Sequence, residues 1–178
     1  MNNKQVQKNL LTLVTTAMFA AMITLTTAYL FHIPVGTAGG YIHLGDAFIY
    51  LAACFLPMPY AVASAAVGAA LADALSPGGM VWVIPTLIIK SLMVLPFTSR
   101  PAKILPLRNI LACVVSGVIC MGGYYVAEGI MTGNWISPLA TLWAGFIQSG
   151  GSAAVFLVIG FALDRAGLKQ RLNSRLAG

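Results

Sequence analysis

The sequence predicts an all-α integral membrane bundle, a single domain over residues 1–178 with six transmembrane helices and both termini in the cytoplasm. Three observations predict it. Of 178 residues, 59% are hydrophobic and 8% are charged, and the mean hydropathy is +0.88; a soluble domain carries about 25% charge. The apolar residues fall into six segments that lack the every-second-residue polar pattern of a barrel strand. Nine of the ten lysines and arginines lie at segment ends that six crossings bring to one side.

Segment one is Leu10 to Phe31, free of charge and proline. Lys4 and Lys8 before it resemble a signal peptide, but the run is too long for a usual signal core and reads as a retained helix. A glycine-rich loop, His32 to Ile42, follows. Segment two runs from His43 to Leu56 and stops at Pro57 and Pro59. Segment three, Tyr60 to Leu75, is rich in alanine. Ser76 to Gly79 is a turn. Segment four is Met80 to Phe97, and a basic loop with Arg100, Lys103 and Arg108 comes next. Segment five is Asn109 to Met131, and a polar turn from Thr132 to Pro138 leads to segment six, Leu139 to Leu163. The tail holds Arg165, Lys169, Arg171 and Arg175. Segments two and three are short. They either cross with local thinning or cover by neighbouring protein, or form a re-entrant hairpin with the same charge placement. Six crossings is the preferred reading. Basic residues gather on the cytoplasmic side of membrane proteins, which places both termini there.

Several functions are excluded. The net charge of +6 and pI near 9.5 sit in short runs beside apolar segments, which suits a membrane surface rather than nucleic acid. Cys54, Cys113 and Cys120 lie in apolar stretches and read as buried small residues. No phosphate-binding Gly-xxxx-Gly-Lys-Ser/Thr, no His-Glu-xx-His and no Gly-x-Ser-x-Gly occurs, so neither nucleotide hydrolysis, a histidine metal centre nor a serine nucleophile is expected. No cofactor and no metal is expected.

Ionisable groups within spans are costly and usually functional. Asp46, Asp73 and Glu128 fall near the outer ends of helices, and Lys90 lies about 15 Å into segment four. Helical spacing groups Tyr124, Tyr125 and Glu128 with Met121, and Lys90 with Thr86 and Met93. Gln148 is a turn from Ser152, and His43, Asn134 and Trp135 come from outer loops. Aromatic walls with a few polar anchors suit a flat, polar small molecule entering from outside. Asp73 and Lys90 read either as ligand groups or as a structural ion pair, and Trp82, Trp135 and Trp143 either as pocket or as interfacial aromatics. Ala17 and Ala21 are small residues four apart on helix one, a spacing that permits close helix contact, internal or with another subunit. The rival functions are a stand-alone ion-coupled carrier and a structural membrane protein.

The run Gly39-Gly-Tyr-Ile-His-Leu-Gly-Asp46 with Ala47 to Tyr50, then Gly68-Ala-Ala-Leu-Ala-Asp73 and Pro85-Thr-Leu-Ile-Ile-Lys90, resembles the substrate-binding S components of energy-coupling factor transporters, most closely the riboflavin-transporter-like branch. The resemblance implies a six-helix subunit of a bacterial cell membrane that captures a water-soluble vitamin or vitamin precursor from outside. It implies a transmembrane coupling subunit and two cytoplasmic ATPases as partners, with the S component toppling in the membrane to release its substrate. It places Ala17 and Ala21 at the coupling subunit. It draws ligand contacts from the outer loop after helix one and the outer halves of helices four to six. The chain lacks a clear biotin, thiamin or riboflavin signature, and the candidates implied are a thiamin pyrimidine precursor, pyridoxine, a queuosine precursor or a flavin.

Overall fold

The computed structural model describes residues 3–30, 32–35 and 40–171. The chain order is α1 (Asn3–Ala28), β1 (Ile33–Val35), β2 (Gly40–Ile42), α2 (Asp46–Phe55), α3 (Met58–Leu75), a 3-10 turn (Gly79–Trp82), α4 (Val83–Val94), α5 (Leu107–Thr132), a second 3-10 turn (Ser137–Thr141) and α6 (Leu142–Arg165). Four helical stretches are long and apolar enough to cross a membrane: Gln5–Ala28, Met58–Leu75, Leu107–Thr132 and Ser137–Arg165. Asp46–Phe55 and Gly79–Val94 are shorter apolar helices.

Backbone chemistry explains these elements. Lipid offers no hydrogen bonds, so each segment must satisfy its own amides. The threonines of α1 do the same for their hydroxyls: Thr12, Thr15, Thr16 and Thr26 donate to the carbonyl four residues back. Pro57 and Pro59 open α3, where their missing amide hydrogens are not needed. Gly133, at φ 65, closes α5 in a left-handed conformation that favours glycine.

The α1–α3 contact is built from small residues. Ala61, Ala65, Ala69 and Ala72 are buried on α3. At Gly68 a Cβ would stand 2.7 Å from the Ala20 carbonyl oxygen. Thr24 of α1 donates across this gap to the Gly68 carbonyl at 2.8 Å. Such close approach replaces the hydrophobic drive that lipid removes. Helix α2 is the most enclosed element. At ten residues it is about 15 Å long, and eight of those residues are buried. Its Tyr50 stacks on Phe97 at 5.0 Å, and Phe156 meets both edge-on at 5.7 and 5.9 Å.

One end of the bundle is closed by polar clamps. The Asp164 carboxylate accepts from the Ile104 and Leu105 amides at 2.6 and 3.0 Å. Buried Asn109 donates to the Thr98 and Ile104 carbonyls and accepts from the Thr98 amide. These bonds fasten the α4–α5 connection, with Arg100 and Lys103, to the ends of α2, α5 and α6. Arg165 and Lys169 follow at the same end. The Lys4 side chain and Arg175 lie outside the described residues.

The structure departs from the sequence reading in three places. The loop after α1 contains an antiparallel hairpin, with Ile33 opposite Ile42 and Pro34 opposite Tyr41. A proline inside a three-residue strand hides that pattern; it is tolerated because a two-stranded ribbon has only edges. Gly36 to Gly39 of that loop are outside the described residues. Segments four and six each open with a 3-10 turn, and segment two yields only the ten-residue α2.

Replacing Gly68 by valine should force α1 and α3 apart. A loss of about 1–3 kcal/mol is expected, read as a lower thermal midpoint of the detergent-purified protein, while Val67→Ala on the exposed neighbouring face leaves the midpoint nearly unchanged.

Candidate functional site

At the end opposite the clamps a cavity of about 370 Å³ opens between the hairpin, the turn before α4, and the second half of α5 with the start of α6. Its floor is the N-terminus of α2. Asp46 begins that helix, where the partial positive charge of the backbone favours a carboxylate. Lys90 reaches it from α4: Nζ lies 2.6 Å from Oδ1, and the side chains are 1% and 0% exposed. Gln148 of α6 donates to Asp46 Oδ2 at 3.0 Å. The Cys120 thiol of α5 sits 3.6 Å from Lys90 Nζ and 3.8 Å from Asp46 Oδ2. Lys90 Nζ also stands 5.3 Å from the centroid of the Tyr124 ring, close enough for cation–π attraction. Four helices are thus joined through one carboxylate.

Lys90 therefore pairs with Asp46, and the ion pair between Asp73 and Lys90 considered from sequence is not formed. The reason is geometric. Asp73 sits in the last turn of α3 under the hairpin, and the Tyr41 hydroxyl donates to its Oδ1. Its Oδ2 is buried with no hydrogen-bond partner among the described residues.

The walls combine rings and hydroxyls. Tyr41 stacks on His32 at 3.9 Å. Burial, reinforced by the negative Asp73, pushes the Tyr41 phenol above its ordinary range, so it stays a protonated donor. His43 is 5% exposed, and burial lowers its pKa to about 4 despite the attraction of Asp46. Its ring is neutral near pH 7, and because Nδ1 accepts from the Gly45 amide at 3.1 Å, Nε2 carries the hydrogen. The Tyr124 and Thr86 hydroxyls bond at 2.8 Å. Trp82 meets Tyr124 edge-on at 5.8 Å. Glu128, half-buried, accepts from the Thr141 hydroxyl at 3.4 Å.

Of the residues singled out in the sequence, His43, Asp73, Tyr124, Tyr125, Glu128 and Gln148 line the cavity. Asp46 and Lys90 form the layer beneath it. Asn134 and Trp135 do not line it. The Asn134 side-chain Oδ1 accepts from the Ile136 and Ser137 amides and shapes the turn. Trp135 lies over Gly129, where a Cβ would stand 2.4 Å from its ring, and is 51% exposed. Ala17 and Ala21 are exposed on α1. Two lining rings were not assigned to the site from sequence: Tyr41 was not singled out, and Trp82 was left open between pocket and interfacial belt. Tyr41 had a signal: it is two residues before His43, and alternate residues of a strand share a face. Trp82 had none, because an aromatic near a helix end is also what an interfacial belt looks like.

An apolar, ring-walled cavity in a membrane bundle has many owners, and the whole-chain pattern decides among them. The family described as "ECF-type riboflavin transporter, S component" matches residues 7–165. The chain belongs to that family. No curated protein matches it. This S component is a multi-pass membrane subunit that binds substrate for vitamin uptake, and a transport subunit rather than an enzyme.

The floor generates a stability prediction. Lys90→Met strands a buried carboxylate and should cost about 3–5 kcal/mol, whereas Lys90→Met with Asp46→Asn should recover much of that loss. Thermal unfolding of the three proteins checks it; equal midpoints for single and double variants would refute a coupled pair.

Proposed function

We propose that this S component forms one six-helix membrane domain in a bacterial cell membrane, with both termini in the cytoplasm, and captures a vitamin or vitamin precursor in the cavity above Asp46. A transmembrane coupling subunit and two ATPases then power its import. The observation that carries this reading is the polarity of the bundle along its axis. The cavity occupies one end, and Arg100, Lys103, Arg165 and Lys169 sit at the other, around the Asp164 and Asn109 clamps. The positive-inside preference turns the basic end to the cytoplasm and so opens the cavity outward.

The short helices fit six crossings. Helix α2 covers about half of a 30 Å hydrocarbon core, but it is wrapped by protein on nearly all sides and needs little lipid contact. The cavity's volume is near the lower end for small-molecule sites, about 300–1,000 Å³, which suits one vitamin-sized ring system. Trp82 and Tyr124 offer aromatic faces. Gln148, His43, Thr86 and Glu128 offer polar anchors. Asp46 and Lys90 hold Gln148 and Tyr124 in place from beneath, so their role in binding is positioning. Asn134 and Trp135 shape the loop beside the site. Ala17 and Ala21, small and outward-facing on α1 between Val14, Met18 and Leu25, suit close packing against the coupling subunit.

Riboflavin is the first probe, named by the family. Titration of the purified protein, followed by quenching of tryptophan fluorescence, should show saturable binding to riboflavin or to another molecule of the candidate set. Tyr124→Ala and Gln148→Ala should each weaken it at least tenfold, and lipid-facing Val114→Ala should not. Unchanged affinity in both cavity variants would sink the reading. Ala17→Trp should leave binding intact and abolish co-purification with a coupling subunit and its ATPases; retained assembly would remove α1 from that interface.

A further inference from the structure

The cavity's charge limits what it can hold. Its lining includes two carboxyl groups, Asp73 and Glu128, and neither lysine nor arginine. His43, the lining imidazole, is neutral for the reason given above, with a pKa of about 4. The nearby ammonium, Lys90, is committed to Asp46 at 2.6 Å and lies below the floor. That pair cancels, which leaves the lining with an acidic surplus. The two acids stand on different walls: Asp73 beneath the hairpin with Tyr41, and Glu128 on α5 beside Thr141. Trp82 and Tyr124, in edge contact, stand in the same lining.

Asp73 carries the specific part. The residue is 5% exposed, its Oδ1 is taken by the Tyr41 hydroxyl, and its Oδ2 is buried and has no well-formed hydrogen bond among the described residues, the Thr86 hydroxyl lying within reach of a weak one. A buried carboxylate oxygen left unpaired is expensive, and the cavity is the direction from which a donor can reach it. A carboxylate matches an amidine-like ring edge, in which a ring N–H and an exocyclic NH2 lie side by side. The hydroxyls around it are partly committed: that of Tyr41 is donated to Asp73, and one of the Thr86 and Tyr124 hydroxyls donates to the other.

Resting on the capture reading above, we propose that this cavity selects a neutral or cationic heteroaromatic ligand with an amino-substituted ring edge, which donates to Asp73, and that it rejects carboxylate- and phosphate-bearing molecules. Charge selection here needs no clash. An anion would lose its hydration and meet two carboxylates with no lining cation to replace the water.

Three probes separate the contributions in detergent-purified protein by titration calorimetry. They are 4-amino-5-hydroxymethyl-2-methylpyrimidine, which carries no anionic group and donates from its 4-amino group; riboflavin, a neutral ring system without an amino edge; and flavin mononucleotide, the same ring with a phosphate. The aminopyrimidine should bind at least tenfold tighter than flavin mononucleotide, and riboflavin should also exceed its phosphate. Asp73→Asn should weaken the aminopyrimidine at least tenfold, and Glu128→Gln should narrow the gap between riboflavin and flavin mononucleotide, which a purely steric exclusion of phosphate would not do. Size-exclusion profiles and thermal midpoints establish that both variants are folded; should Asp73→Asn not fold, the Glu128→Gln ratio and the wild-type order of the probes still decide. Equal binding of riboflavin and flavin mononucleotide to the wild type overturns charge selection and leaves vitamin capture standing. An aminopyrimidine affinity unchanged in folded Asp73→Asn overturns the role of Asp73. Absence of binding by all three, with no small molecule released from the purified protein on denaturation, overturns the capture reading and this inference with it.

Discussion

The contact between Lys90 and Asp46 is the constraint on which the rest of the arrangement depends. Two opposite charges almost wholly removed from solvent are tolerable only if each is fully engaged. Asp46 meets that condition with an ammonium on one oxygen, a carboxamide on the other and the amino end of a helix at its back. Lys90 adds the Tyr124 ring. Satisfying one carboxylate in this way fixes the axial positions of α2, α4, α5 and α6 relative to one another. A helix pair held only by alkyl contacts in lipid can slide by a turn at small cost; this pair cannot slide without separating charges. The cavity keeps its shape because its floor is electrostatically registered.

The two ends of the bundle solve different problems. At the basic end the two clamp residues have backbone partners: Asp164 accepts from two amides, and Asn109 bonds the Thr98 amide and two carbonyls of the connection. Those bonds tie the connection across that end. At the other end polar atoms are grouped around a cavity, and some lack partners among the described residues, Asp73 Oδ2 among them. A protein that needed only to be stable would have paired or removed that atom. Lys169 Nζ at the basic end also lacks a partner among the described residues, but Asp73 lines a cavity walled by aromatic rings.

Much of this was legible in the sequence, and the rest was hidden for physical reasons. Long apolar runs give the four longest helices, because lipid exposure demands uninterrupted hydrophobicity, and the charge count locates the basic end. Tyr124 could be grouped with Glu128 because helical spacing is rigid. The partner of Lys90 could not be chosen, since Asp46 and Asp73 are both acids near helix ends and only three-dimensional packing separates them. Trp135 and Trp82 were interchangeable for the same reason: each is an aromatic beside a turn. Gly129 decides between them by giving Trp135 a groove outside the cavity, while the 3-10 turn at Gly79–Trp82 swings Trp82 inward. The hairpin was missed because three-residue strands have too few positions to show a period.

The origin of the cavity follows from helix lengths. Helices α5 and α6 have 26 and 24 residues, and α2 has ten, so α2 is about 20 Å shorter than either. Its carboxy end is tied to the sealed end, where Asn109 donates to Cys54 at 3.2 Å. All the missing length therefore falls at the other end, directly above Asp46. The hairpin spans part of that gap, with Tyr41 and His43 leading straight into α2, but two three-residue strands cannot fill the volume that about four further turns of helix would occupy. Filling it with a longer α2 would restore a solid bundle and bury Asp46 in mid-helix, where its backbone amide would no longer be an unpaired donor and the carboxylate would lose the positive helix end. The short helix, the buried ion pair and the void above them are thus three consequences of one placement: an acidic residue that starts a helix well inside the bundle.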